Sequence, residues 1–218
     1  MFKVLNFIAT TLILIGFVIL VLIFAPVLQQ EANYQVGQLA FKTPEIAETE
    51  EEVERLEQEN KQNIEYRKKI IIPKNFDFSL VIPKIGVNSQ VFANIDSANE
   101  DEYLPVLKEG VAHAFGSSLP SQSGSVFIFA HSTDSFFNIG RYNATFFLLR
   151  KLEQGNEIYI FYQGKKYTYQ VVEKVVVDPE EIGNELRKLE GNFLVLQTCS
   201  PAGTTLQRLL VIAKLAES

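Results

Sequence analysis

Cysteine is almost missing from this chain: Cys199 stands alone among 218 residues, which excludes an internal disulfide and any cysteine-based metal cluster. The single sulfur is then either an inert core atom or a reactive group, and by count alone the inert reading leads, because free cysteine is among the most buried residue types. Positive charge is also short. Twenty Lys and Arg face 26 Asp and Glu, a formal net charge of -6, and no stretch interleaves basic with aromatic residues. A nucleic-acid partner is excluded on that basis. No internal repeat or low-complexity tract occurs, which removes solenoids and propellers. What is present is 47% apolar and 11% aromatic residues, enough for one domain with a real core plus appendages.

The first appendage is apolar. Val4 to Gln30 carries no charge, and Phe7 to Leu28 is dominated by Ile, Leu, Val and Phe. About 20 residues cross a ~30 Å hydrocarbon layer as a helix, whereas a cleaved signal needs only roughly 7 to 15 apolar residues. Residues 1–30 are therefore expected to form a single-pass transmembrane anchor; a buried core helix is the alternative. Lys3 precedes the stretch and Glu31 is the first charge after it, so the remainder is expected outside the cytoplasm. A charged spacer follows over residues 31–75. From Thr43 to Lys69 it holds nine Glu and five Lys or Arg, Glu crowding the first half and Arg67, Lys68 and Lys69 closing it, as a helix dipole prefers. Pro44 suits a first turn and Pro73 lies beyond the end, so one exposed stalk helix is expected; a lid over the active site or a short coiled coil is the alternative.

From residue 76 to 218 the pattern changes to short β-rich runs separated by Gly, Pro, Asn and Asp. Strands are expected at Phe78–Pro83, Gln90–Ala93, Ser125–Ala130, Glu157–Tyr162, Tyr167–Val177, Phe193–Thr198 and Leu206–Leu215, with one short helix at Ala144–Leu152 and a hairpin turn at Gln163-Gly164-Lys165. This density, without alternating long helices, predicts a mainly β fold, a closed barrel or sandwich, and argues against a parallel α/β sheet.

Three residues stand out against that frame. Cys199 follows the apolar run Phe193 to Thr198 and precedes the turn Ser200-Pro201-Ala202-Gly203, so it belongs to a strand rim, where a rigid sheet presents a side chain to a cleft. His131 ends the run Val126 to Ala130 in the same way. Arg208 lies inside Leu206 to Ile212, where a permanent charge is costly unless a polar cleft or an anion receives it. Each has a bland reading: a core thiol, a hydrogen-bonded structural histidine, an exposed arginine. Together they supply a nucleophile, a proton carrier and a cation for a developing oxyanion, which is what acyl transfer by a thiol needs.

These residues resemble the sortase family. Leu196-Gln197-Thr198-Cys199, with Arg208 downstream, is similar to that family's Thr-Leu-x-Thr-Cys strand and following Arg. Ile82 to Gly86 resembles its first strand, and Gly124 to His131 its apolar run into a histidine. Val195 stands in place of the usual Thr, Ala130 of Gly, Ser132 of Arg, and Asn156 of Asp. No Asp-Pro-aromatic lid motif and no second apolar segment are visible, so the resemblance is to class D or E and not to pilin-type members.

The resemblance implies an eight-stranded sortase-type β-barrel with His131 as acid/base, Cys199 as nucleophile and Arg208 as oxyanion or substrate stabiliser. It implies substrate contacts for Thr198, for Ile182 and Leu186 in the loop from Asp178 to Asn192, and, in a supporting role, for His113, a secondary histidine in Gly110-Val111-Ala112-His113 whose other reading, the leading one, is structural. The expected reaction cleaves a Leu-Pro-x-Thr-Gly-like signal of a surface protein through a thioacyl enzyme and passes it to an amine of a cell-wall precursor or a pilin lysine. No cofactor is expected; calcium at Glu180, Glu181 and Glu190 is the lesser reading against plain solvated charge. A catalytically silent scaffold or adhesion domain on the same barrel is the alternative function. An L,D-transpeptidase-type enzyme is a second, although its Ser-His-Gly-Cys context is absent.

Overall fold

The computed structural model describes residues 45–62, 70–131, 145–202 and 204–216, together with 3, 6–7, 9–18, 21, 31–32 and 34–35. Much of the apolar stretch falls outside these residues. Residues 9–18 are helical with exposed side chains, and among the described residues no helix is long and apolar enough to cross a membrane.

Eight short apolar runs close on themselves. They are β3 (Phe78–Ile82), β4 (Val87–Ile95), β5 (Val111–Ala114), β6 (Ser125–Phe129), β7 (Glu157–Tyr162), β8 (Lys165–Val177), β9 (Phe193–Ser200) and β10 (Gln207–Leu215). Around the barrel the order is β10-β8-β7-β3-β4-β5-β6-β9, with β9 returning to β10. The mainly β, closed barrel therefore matches expectation, and closure removes the sheet edges that an open sheet would leave unpaired. Leu80, Ile82, Ile128, Ile160, Leu194 and Leu196 are fully buried in its core. At the hairpin between β7 and β8, Gln163 (φ 51°) and Gly164 (φ 73°) both take the left-handed conformation that a two-residue turn of this hand demands.

Among the elements not anticipated are β5 and the helix α2 (Glu100–Glu109) that leads into it. The helix carries Pro105 in its interior, where proline normally breaks the backbone ladder. Tertiary packing outweighs that cost: Leu107 is buried, and Tyr103 meets Phe129 edge-on at 6.0 Å. Gly110 then joins α2 to β5, and a Cβ there would sit 2.5 Å from the Gln90 carbonyl oxygen, so only glycine permits the approach. The crossover makes β4 and β5 parallel, and β6 and β9 are parallel as well. The barrel is thus mixed, with short parallel pairs that the run lengths did not announce. The expected helix at Ala144–Leu152 is a 3-10 turn over Phe147–Lys151, with residue 144 outside the described residues.

The spacer differs from a single stalk helix. Its helix, α1 (Glu50–Gln62), starts later than Pro44 because Thr49 caps it: the Glu52 N–H donates to Thr49 Oγ1 at 3.2 Å, and the Glu52 carboxylate reaches back to the Glu48 N–H at 2.9 Å. On either side lie two-residue strands, β1 (Glu45–Ile46) and β2 (Ile70–Ile71), paired in parallel, a geometry that needs a crossover of about a dozen residues such as this helix. The unit is tied to the barrel. Lys166 of β8 pairs with Glu48, and Asn88 of β4 accepts from Lys74 N–H and donates to Ile72 O. Residues 63–69 lie outside the described residues.

Candidate active site

The parallel register of β6 and β9 runs from Ser125 with Phe193 to Phe129 with Gln197, and Ala130 N–H adds a last bond to Gln197 O at 3.2 Å. Two residues further along each chain, that register sets His131 level with Cys199. On the other side of β9, Cys199 is paired directly with Arg208 of β10. Three residues distant in sequence therefore lie level with one another, Cys199 and Arg208 on neighbouring strands about 5 Å apart and His131 just past the end of a third. The row is at one rim, because β6 ends there, β9 ends just beyond Cys199, and β10 begins with Gln207.

Burial fits a site and not a core plug. Cys199, His131 and Arg208 are all partly exposed, and the sulfur is not sealed in the interior. The His131 Nε2 atom is itself buried. Its backbone carbonyl accepts from Phe146 N–H at 3.3 Å, so the chain that leaves the rim after His131 returns to it. Residues 132–144 in between are outside the described residues. Arg208 is held from its own loop: Nη1 donates to Thr205 O at 2.9 Å and to Gln207 O at 3.1 Å. That loop is braced in turn by Thr204, whose N–H and Oγ1 both donate to Pro201 O. On the far side of β10, Gln207 donates to Asp178 at the end of β8. The guanidinium is thus held by backbone carbonyls of its own loop, on the strand next to the one that carries the thiol.

The expected substrate-contacting residues are placed otherwise. His113 is 0% exposed and lies deep in the barrel. Its Nδ1 accepts from Asn94 N–H at 3.2 Å, which leaves the proton on Nε2, and Nε2 lies 3.1 Å from Ser118 O and 2.9 Å from Ser117 Oγ. Burial holds its pKa below the ordinary histidine value. Its ring packs 5.8 Å from that of Phe78, and its backbone pairs with Ile128 of β6, three residues before His131. Thr198 is 2% exposed and donates its hydroxyl to Ala130 O at 3.0 Å. Both side chains are enclosed and already bonded within the protein.

The signal for Thr198 was in the sequence: alternate residues of a strand face opposite ways, so a threonine next to an outward thiol faces inward. Ile182 and Leu186 sit one turn apart on the short helix α3 (Ile182–Arg187), half-buried and packed against the core. They fasten the crossover from β8 to β9 to the barrel. Among the described residues, no group of three or more His, Cys, Asp or Glu is placed to hold a metal ion. Glu181 is instead bonded to Asn184.

The Sortase domain family matches residues 80–216, and the chain belongs to the sortase family. Sortase D of Bacillus subtilis (strain 168) is 24% identical over 138 residues, which are 62% of this chain and 61% of that protein. Among solved structures, sortase C1 of GBS pilus island 1 is similar with a TM-score of 0.54 and 28% identity, over 65% of this chain and 64% of its own. Streptococcus pneumoniae sortase C, described in relation to pilin substrate specificity, is similar with a TM-score of 0.52 and 25% identity, over 64% and 66% of the two chains. The chain thus spans about three fifths of the length of the curated relative it matches.

Proposed function

We propose that this chain is a membrane-anchored cysteine transpeptidase in which Cys199 is the nucleophile, His131 the acid/base and Arg208 the cation for the oxyanion. The observation that carries the reading is the row itself: Cys199 and Arg208 are paired on adjacent strands, and His131, two residues past the end of β6, continues the β6–β9 register to their level at one rim, where the sulfur is partly exposed. The Cys199 thiolate attacks the Thr-Gly carbonyl of a Leu-Pro-x-Thr-Gly-like signal, and the negative charge that develops on the carbonyl oxygen is met by Arg208. Protonated His131 gives its proton to the departing glycine amine as the C–N bond breaks, which leaves a thioester on Cys199. An incoming amine then loses a proton to His131, attacks the thioester and expels the thiolate. Each cycle exchanges one amide for another and returns both groups to their starting protonation.

Donors of this reaction are surface proteins with a C-terminal sorting signal, and acceptors are amines of a cell-wall precursor or a pilin lysine. Anchoring is supported by the uncharged stretch from Val4 to Gln30 and by the exposure of Leu12, Ile13 and Phe17 on its helical part. The Sortase D relative supports the class D or E reading. The test is to incubate the protein with sorting-type peptides and identify a thioacyl adduct on Cys199 by mass spectrometry. An adduct that disappears in His131→Ala is expected; folded protein that acylates with no such peptide would overturn the assignment.

A further inference from the structure

The backbone ladder between β6 and β9 stops one residue short of the chemistry. Its last rung is Ala130 N–H to Gln197 O at 3.2 Å, and His131, the next residue, belongs to no strand. At that level a side chain takes over: the Thr198 hydroxyl donates to Ala130 O at 3.0 Å. Ala130 is therefore gripped through both its amide and its carbonyl, by two successive residues of β9, immediately before the chain turns into His131. Thr198 in turn is covalently joined to Cys199.

We propose that Thr198 is a positioning residue for the pair Cys199 and His131, its hydroxyl standing in for the next rung of the ladder and setting the distance between thiol and imidazole. The proposal rests on reading those two groups as nucleophile and acid/base. Two observations carry it. Thr198 faces the barrel interior at 2% exposure, opposite to its neighbour Cys199, so its hydroxyl is not directed to the substrate side. A buried hydroxyl is also costly without a partner, and an apolar strand such as Phe193 to Leu196 would keep its shape with valine there. The threonine is thus explained by the bond it makes to Ala130. The sensitivity follows from proton transfer, for which an error of about 1 Å can cost roughly 100-fold.

The test uses the full chain and its variants Thr198→Val, Thr198→Ala, Thr198→Ser and His131→Ala, each checked for folding by thermal unfolding. Two quantities are read: the pH profile of Cys199 alkylation by iodoacetamide, and kcat and KM for acyl transfer from a sorting-type peptide. Thr198→Val and Thr198→Ala are expected to move the profile toward that of His131→Ala and to lower kcat about 10- to 100-fold with KM little changed, while Thr198→Ser keeps both near wild type. A wild-type profile and kcat in either hydroxyl-free variant, or a Thr198→Ser as impaired as Thr198→Ala, would overturn the proposal. Where Thr198→Val does not fold, the alanine and serine variants decide. If wild-type and His131→Ala profiles coincide, the parent reading of the pair falls, and this inference with it; a wild-type Thr198→Val sinks only the inference.

Discussion

The chain has two histidines, and the two regions that hold them place the imidazole in opposite settings. At the rim, His131 follows the end of β6, is partly exposed, and lies level with a thiol and one strand further from a guanidinium. In the barrel, His113 sits within β5, fully buried, with its tautomer set by the Asn94 N–H and its remaining N–H given to the 117–118 turn. Chemistry requires a ring that changes protonation during a cycle, whereas a buried structural ring must keep one state. The difference teaches that position relative to the strand, not residue type, decides whether an imidazole is enclosed or left partly exposed; under the proposed mechanism it also separates the reactive ring from the scaffold one.

The comparison breaks most visibly at the rim. Cys199→Ala is expected to lower acyl transfer at least about 1000-fold while leaving the unfolding temperature near wild type. His131→Ala should cost roughly 100- to 10,000-fold and Arg208→Ala about 100- to 1000-fold, again with little change in stability. Steady-state kinetics beside thermal melts would check this, and a His131 variant that melts early but turns over normally would reverse the two roles. His113→Ala is the converse case. It empties a buried site and strands the Asn94 N–H, a loss of about 2–4 kcal/mol in denaturant unfolding, with turnover by the folded fraction largely kept.

A smaller effect sharpens the same contrast through pH. In the unfolded chain His113 takes up a proton near its ordinary value of 6.5, while the buried ring resists until lower pH. Between those two values the unfolded state binds more protons, so this contribution to stability is complete above 6.5 and falls as pH drops toward the lowered folded value. Melting temperatures between pH 7 and about 5 should decline in the wild type and less steeply in His113→Asn. The smallest effect lies in the spacer: Lys166→Ala removes a half-exposed pair with Glu48 and should cost no more than about 1 kcal/mol.

Much of this was legible in advance because the strands are short, apolar and punctuated. Six of the eight barrel strands coincide with expected runs to within two residues at each end, and the β4 run was seen at its centre. β5 was missed because four buried residues, Val111 to Ala114, are too few to carry a period, and α2 because Pro105 reads as a breaker until Leu107 and Tyr103 are seen to pack. The spacer misled for a related reason. Its charges announce a helix, but the turn that starts it depends on Thr49 and Glu52, and the flanking strands β1 and β2 gain their pairing only from each other. Thr198 and His113 were recognised as belonging to the motif, but not as inward-facing.

Composition and local pattern alone determined the class of fold, the lone thiol, and the strand ends on which His131, Cys199 and Arg208 sit, because burial preference and turn chemistry act over a few residues. The closed order of strands, the parallel register that levels 131 with 199, and the inward turn of 113 and 198 were decided by the tertiary structure. Register and facing depend on which strand lies alongside, and a strand's neighbour across the barrel is not written in its own residues.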